Sequence, residues 1–123
     1  MLQHVDRAAA ALLILLGCVH NFVAAPMTFD RLGAPALWFV TGGITLWYAG
    51  AINLLRTGEA GRARSTRLVA LATNLILVAF LVVYATSQRS LHLPQSWLLI
   101  GPAIWLLARS ITVPPSAAKG GYR

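Results

Sequence analysis

Charged residues are scarce in this sequence, and cysteine is almost absent. Only 11% of the 123 residues are charged, whereas a soluble domain typically carries about 25%. Hydrophobic residues make up 58%, which leaves too little polar material to coat a water-soluble globule. The one thiol, Cys18, permits neither an internal disulfide nor a paired-cysteine redox relay. The composition therefore excludes an ordinary soluble domain and a membrane thiol oxidoreductase.

Four long stretches contain no Asp, Glu, Lys or Arg. They cover residues 8–29, 32–55, 68–88 and 90–108 and are 22, 24, 21 and 19 residues long. An α-helix needs roughly 20 apolar residues to cross the ~30 Å hydrocarbon layer, so each stretch is long enough to span a bilayer. The run LVALATNLILVAFLVV at 68–83 is apolar on every side, unlike a helix of a soluble bundle. We predict an all-α integral membrane protein.

The basic residues are distributed unevenly among the loops, and this predicts the orientation in the membrane. Eight of the ten lie before the first stretch, between the second and third, or after the fourth; Arg31 and Arg89 are the other two. The positive-inside rule places the larger group in the cytoplasm. Because short loops make sequential helices antiparallel neighbours, we predict an up-down-up-down four-helix bundle with both termini inside. The predicted location is the bacterial cytoplasmic (inner) membrane, crossed four times.

The predicted helices form a single domain over residues 1–113, with a disordered cytoplasmic tail at 114–123. Proline is expected to end the first helix at Pro26, and Gly101 with Pro102 to kink the fourth. The predicted helices are 7–25, 34–55, 68–87 and 95–113.

The N-terminal segment also shows features of a cleavable signal. Leu15-Leu16-Gly17-Cys18 is similar to a lipoprotein cleavage box, and Val23-Ala24-Ala25 to an ordinary cleavage site. Because Pro26 would follow the second site and the basic region is weak, we predict that the segment is retained as a helix.

The three carboxylates are all expected at or outside the membrane surface. Proton-coupled transport by a minimal four-helix pump requires an intramembrane carboxylate, and small multidrug-resistance exporters use one in their first helix. The strong charge asymmetry also disfavours a dual-topology assembly such as a small fluoride channel. Since no serine, histidine and acid are expected to converge either, we predict no catalytic residue.

Several polar and aromatic side chains are predicted at one depth, in the outer third of the bilayer. They come from all four helices and suggest a shared pocket, although packing or an interfacial aromatic belt would explain the same residues. The predicted pocket residues are His20, Asn21, Trp38, Thr41, Tyr84 and Trp97.

A second group of small and amide residues is predicted to pack helices together. Small residues let two backbones approach closely, and an asparagine can hydrogen-bond to a neighbouring helix. The second helix would contact the first helix through Gly17 or a second copy of the chain, and the sequence leaves both open. The predicted packing residues are Gly17, Gly42, Gly43, Gly50, Asn53 and Asn74.

No metal or cofactor is predicted, because His20 and His92 are not expected to face each other as haem ligands do. Nucleic-acid binding is excluded, since the basic residues lack aromatic interleaving or a motif. The basic inner loop is instead predicted to hold anionic lipid headgroups, through Arg56, Arg62, Arg64 and Arg67.

Two functions remain compatible with these patterns. The preferred one is a non-enzymatic membrane protein that acts through helix packing, as an accessory subunit or a small oligomer. The alternative is a binder or transporter of a small apolar or weakly polar molecule, through the outer pocket. An enzyme acting on lipid, with His20 as the base, ranks third.

Overall fold

The computed structural model describes residues 2–112, and within that range the chain is helical with short connections. A 3₁₀ turn at Glu59–Arg62 lies between the second and third helices. The predicted disordered tail, 114–123, lies outside the described residues. The four long helices are α1 (Leu2–Thr28), α2 (Ala34–Arg56), α3 (Arg64–Ser87) and α4 (Pro94–Thr112).

Three of the helices within residues 2–112, namely α1, α2 and α3, are long and apolar enough to cross a membrane. The fourth helix, α4, has 19 residues but begins with Pro-Gln-Ser and carries Arg109 in its last turn. The coarse prediction of a membrane protein therefore agrees with the structure.

The first helix differs from its predicted bounds at both ends. It begins at Leu2, five residues earlier than expected, so that Asp6 lies inside the helix. The predicted start of the helix at Arg7 is therefore one residue too late to include Asp6, whereas the position of Asp6 at or outside the membrane surface stays a prediction. The helix also continues past Pro26, because a π-helical turn at His20–Ala24 leads into the α-helical segment Ala25–Thr28. Proline is tolerated in the first turn of such a segment, where its missing N–H is not needed.

The helices α1 and α2 pack side by side and are antiparallel. Gly17 meets Gly43, and Asp6 near the start of α1 meets Arg56 at the end of α2. The helix α1 also packs on α4, and α3 packs on both α2 and α4. All four helices thus enclose one apolar core, whose buried members are Leu13, Leu46, Ala49, Leu77, Leu81, Ala85, Ile100, Ala103 and Leu106.

Candidate functional site

A cavity of about 150 Å³ lies in the half of the protein where the outer pocket was predicted. We call it the outer cavity. Of the predicted pocket residues, His20, Trp38 and Tyr84 line it. Its other walls are mostly apolar and come from α2, α3 and α4. The full lining is His20, Trp38, Phe39, Gly42, Thr45, Leu46, Leu77, Phe80, Leu81, Tyr84 and Leu99.

The imidazole of His20, at the wall of this cavity, makes two contacts with Phe39. Its Nε2 lies 2.9 Å from the carbonyl oxygen of Phe39, and its ring stacks on the Phe39 ring at 3.9 Å between centroids. A carbonyl oxygen only accepts, so Nε2 carries the hydrogen and donates it. His20 also opens the π-helical turn of α1, a distortion that is frequent at functional sites.

The other predicted pocket residues, Asn21, Thr41 and Trp97, lie outside the outer cavity. The side chain of Asn21 is buried against Gly43, between α1 and α2, and has no hydrogen-bond partner within residues 2–112. The Thr41 hydroxyl donates to the carbonyl of Trp38 at 2.6 Å, within its own helix. The Trp97 indole donates to the carbonyl of Leu91 at 2.9 Å.

The glycines of α1 and α2 lie where the two helices approach most closely. A Cβ at Gly17 would lie 2.6 Å from the carbonyl oxygen of Gly43, and one at Gly50 would lie 2.6 Å from that of Ala10. Gly42 instead faces His20 Nε2 at the outer cavity, at 3.4 Å from an added Cβ. A Cβ at Gly101 would meet nothing within 4 Å. The structure thus pairs the glycines of α2 with α1 of the same chain.

At the opposite end of the protein, two fully buried asparagines join three helices. The amide of Asn53 on α2 donates to Asn74 Oδ1 at 2.7 Å, and Asn74 on α3 donates back to Asn53 Oδ1 at 3.0 Å. Asn74 also reaches α4, where the Ser110 hydroxyl oxygen lies 2.9 Å from its Nδ2. Arg56 adds a hydrogen bond from Nε to Asn53 Oδ1, at 3.2 Å.

One carboxylate, that of Asp6, lies at the centre of a second polar group beside the asparagines. Its side chain is 4% exposed and is flanked by two guanidinium groups. Arg109 donates from Nε at 3.1 Å, Arg56 from Nη2 at 3.4 Å, and the indole of Trp105 at 3.0 Å. Because one carboxylate faces two guanidiniums, the group retains excess positive charge.

Sequence reasoning missed this group, although a signal for it exists. Asp6 is spaced four residues before Ala10, seven before Leu13 and eleven before Gly17, and all four are buried. This is the spacing of one helical face. Extending the buried face of α1 toward the N-terminus would have placed Asp6 among the other helices.

A larger cavity, of about 620 Å³, opens beside Asp6. We call it the arginine cavity. Five arginines and two carboxylates line it, and the arginines come from all four helices and from the loop after α2. The charged lining residues are Asp6, Arg7, Arg56, Glu59, Arg62, Arg67 and Arg109. Five arginines against two carboxylates leave an excess of three positive charges.

The histidines and carboxylates do not gather into a metal-binding group: none with three or more His, Cys, Asp or Glu side chains occurs within residues 2–112. The outer cavity is lined mostly by apolar side chains and the arginine cavity by charged ones; two further cavities, of about 280 and 960 Å³, lie between α3 and α4 and at residues 28–36. No known protein family matches this chain, and no curated protein and no solved structure is significantly similar to it.

Proposed function

We propose that this chain is a four-pass protein of the bacterial cytoplasmic membrane, with both termini and the arginine-rich loop inside. The charge asymmetry of the loops supports this orientation. The pairing of Asn53 with Asn74, and of Asn74 with Ser110, supports α2, α3 and α4 as antiparallel neighbours. In α4, Arg109 is paired with Asp6, which it shares with Arg56, and this pairing lowers the cost of placing the helix in the membrane.

The function that the geometry supports best is the binding of a small, apolar or weakly polar molecule in the outer cavity. The observation that carries this proposal is the cavity itself, which is open on one side and lined mostly by apolar side chains with a few polar groups, as small-molecule sites are. A cavity of about 150 Å³ is large enough for benzene, so the expected ligand is about the size of one six-membered ring.

The wall and the rim of the cavity suit such a ligand. Phe39, Leu77 and Leu81 supply apolar surface. The Nε2–H of His20 is already donated to the Phe39 carbonyl, so Nδ1 remains as the acceptor for a ligand that carries one hydrogen-bond donor. Trp38 and Tyr84 are 78% and 53% exposed, so the cavity communicates with the lipid-facing surface of the protein. Entry from the bilayer would favour apolar ligands.

A role through helix packing, as accessory subunit or oligomer, receives less support from the same geometry. The glycines that suggested a contact with a second chain are packed against α1 instead. The close approach that these residues permit is therefore used within the chain.

Filling the cavity from its rim would test the proposal. Thr45 lines the cavity and Thr41 does not, yet both are exposed on α2 and both hydroxyls bond to a carbonyl of their own helix. Purified wild type, Thr45→Phe and Thr41→Phe would be heated in detergent with increasing phenol or cyclohexane. Ligand that binds the folded state raises the unfolding temperature until the site saturates.

We expect a saturable rise in unfolding temperature for the wild type and Thr41→Phe, and its loss in Thr45→Phe. A rise that persists in Thr45→Phe would assign the effect to the detergent or the lipid-facing surface. The absence of a saturable rise for either compound in the wild type would contradict the proposal.

A further inference from the structure

The arginine cavity is the most strongly charged feature of the molecule, and the outer cavity leaves it without a role. We infer that it is a binding site for a phosphate group, carried either by a phospholipid headgroup or by a small soluble organophosphate. Guanidinium groups bind phosphate oxygens through paired, charge-assisted hydrogen bonds, which lysine cannot reproduce. All five cationic residues that line this cavity are arginines.

Asp6 holds two of these arginines in position before any ligand binds. Within residues 2–112, Arg109 reaches Asp6 through Nε, which leaves its two terminal nitrogens available to a ligand. Arg56 uses Nε for Asn53 and one terminal nitrogen for Asp6. An anion entering the cavity would meet donors that are already ordered, so it would not have to immobilise them.

Arg67 provides an independent observation. Its Nε is buried beside the cavity and has no hydrogen-bond partner among the described residues. A buried donor without an acceptor is costly, and the cost is greater when the donor belongs to a charged group. Arg67 as a whole is half-buried and lines the cavity, so a small rearrangement of its side chain on binding would let Nε and the terminal nitrogens donate to a phosphate oxygen.

The arginine cavity is also large enough for an organic phosphate. A volume of about 620 Å³ lies within the range of small-molecule pockets, roughly 300–1,000 Å³, and exceeds what a single phosphate needs. The remaining space would hold the glycerol or other organic part attached to the phosphate. The loop at Glu59–Arg62 covers one side of the cavity and contributes Arg62.

The arginines that were predicted from the sequence to bind lipid headgroups fall into two groups, those that line the arginine cavity and one that does not. Arg62 and Arg67 line the cavity, whereas Arg64, in the same basic segment, is exposed and does not. A diffuse attraction between the loop and anionic lipid would depend on all three equally. A site in the cavity would depend on Arg62 and Arg67 alone, so Arg64 serves as a matched control.

The full chain in phosphatidylcholine nanodiscs would be titrated calorimetrically with glycerol 3-phosphate. In a second arm, retention of phosphatidylglycerol from mixed nanodiscs would be measured by native mass spectrometry. We expect saturable binding in at least one arm. Arg67→Gln should weaken it about tenfold or more, because a hydrogen bond to a charged group contributes about 1.5–3 kcal/mol.

Arg62→Gln, at an exposed loop position where a folding defect is not expected, should weaken binding in the same direction. Arg64→Gln should change it by less than about twofold, since distant exposed charges are screened by salt. Binding of the soluble probe would assign the site to an organophosphate, and binding of the lipid alone would assign it to a headgroup. An equal loss in Arg64→Gln and Arg67→Gln, or no saturation in either arm, would overturn the inference.

Phosphate binding in the arginine cavity can be tested independently of ligand binding in the outer cavity. Thr45→Phe leaves the arginine cavity untouched and should bind the phosphate probe as the wild type does.

Discussion

Asn53 and Asn74 exchange a pair of hydrogen bonds, of 2.7 and 3.0 Å, at positions with no exposed surface. Each amide satisfies the other, and the remaining hydrogen of Asn74 is shared between the Leu106 carbonyl and the Ser110 hydroxyl on α4. The pair therefore ties α2 to α3 and α3 to α4 at a single level of the bundle. Because these amides are buried away from water, their pairing specifies which helix faces which neighbour.

Replacing one of the two amides should destabilise the protein more than the loss of an exposed hydroxyl. Asn74→Leu keeps the shape of the side chain but removes both hydrogen bonds between Asn53 and α3, at an expected cost of about 1–2 kcal/mol in the free energy of unfolding. Thr86→Val, which removes an exposed hydroxyl bonded to its own helix, is the control. Unfolding in mixed detergent micelles would measure both.

The double variant Asn53→Leu with Asn74→Leu should lose less than the sum of the two single losses. Removing both amides leaves neither unpaired, so the two effects are coupled. Strict additivity would show that the two side chains do not depend on each other.

Neutralising Asp6 should be among the most damaging single substitutions. Asp6→Asn would leave Arg56 and Arg109 side by side without a counter-charge, and breaking a buried ion pair costs about 3–5 kcal/mol. Asp30→Asn, at an exposed position in the loop between α1 and α2, should be close to neutral. Denaturant titration of the purified variants would measure the difference. Adding Arg109→Gln to Asp6→Asn should restore part of the loss; no restoration would show that the carboxylate does not act by balancing these charges.

Two glycine-to-alanine substitutions should change the stability of the protein in opposite directions. A Cβ at Gly50 would lie 2.5 Å from Ile14 Cγ1 and 2.6 Å from a backbone carbonyl oxygen of α1, so Gly50→Ala should cost about 1–3 kcal/mol. At Gly101 an added Cβ meets nothing within 4 Å, and Gly101→Ala should stabilise α4 by up to about 1 kcal/mol. Thermal unfolding of the two variants would separate these effects. A neutral result for Gly50→Ala would contradict the close packing of α1 against α2.

The positions of residues along a helix axis were predictable from the sequence, because a helix rises a constant distance per residue. The constant rise predicted that His20 and Tyr84 lie at the same depth. In the structure, both residues line the outer cavity. It could not assign rotation about the axis. Asn21 directly follows His20 and so points in a different direction around the helix axis, into the contact with Gly43. A depth argument alone cannot separate two such neighbours.

The start of α1 was predicted too late for a related reason. A charged residue near the end of an apolar run normally marks the membrane surface, and Asp6 and Arg7 were treated as such a limit. The partners that make Asp6 tolerable inside the bundle, Arg56 and Arg109, are 50 and 103 residues away in sequence. Only the helical spacing of Asp6 with the buried face of α1 indicated its position.

The number of membrane crossings depends on α4 and can be tested with single cysteines. In a Cys18→Ser background, cysteines would be placed at the exposed positions Ser65, Ser87 and Thr112 and probed on intact cells with a membrane-impermeant maleimide. The four-pass orientation predicts labelling at position 87 before lysis, and at positions 65 and 112 only after lysis. If α4 does not cross, positions 87 and 112 should be labelled together, and the bundle would then cross the membrane three times.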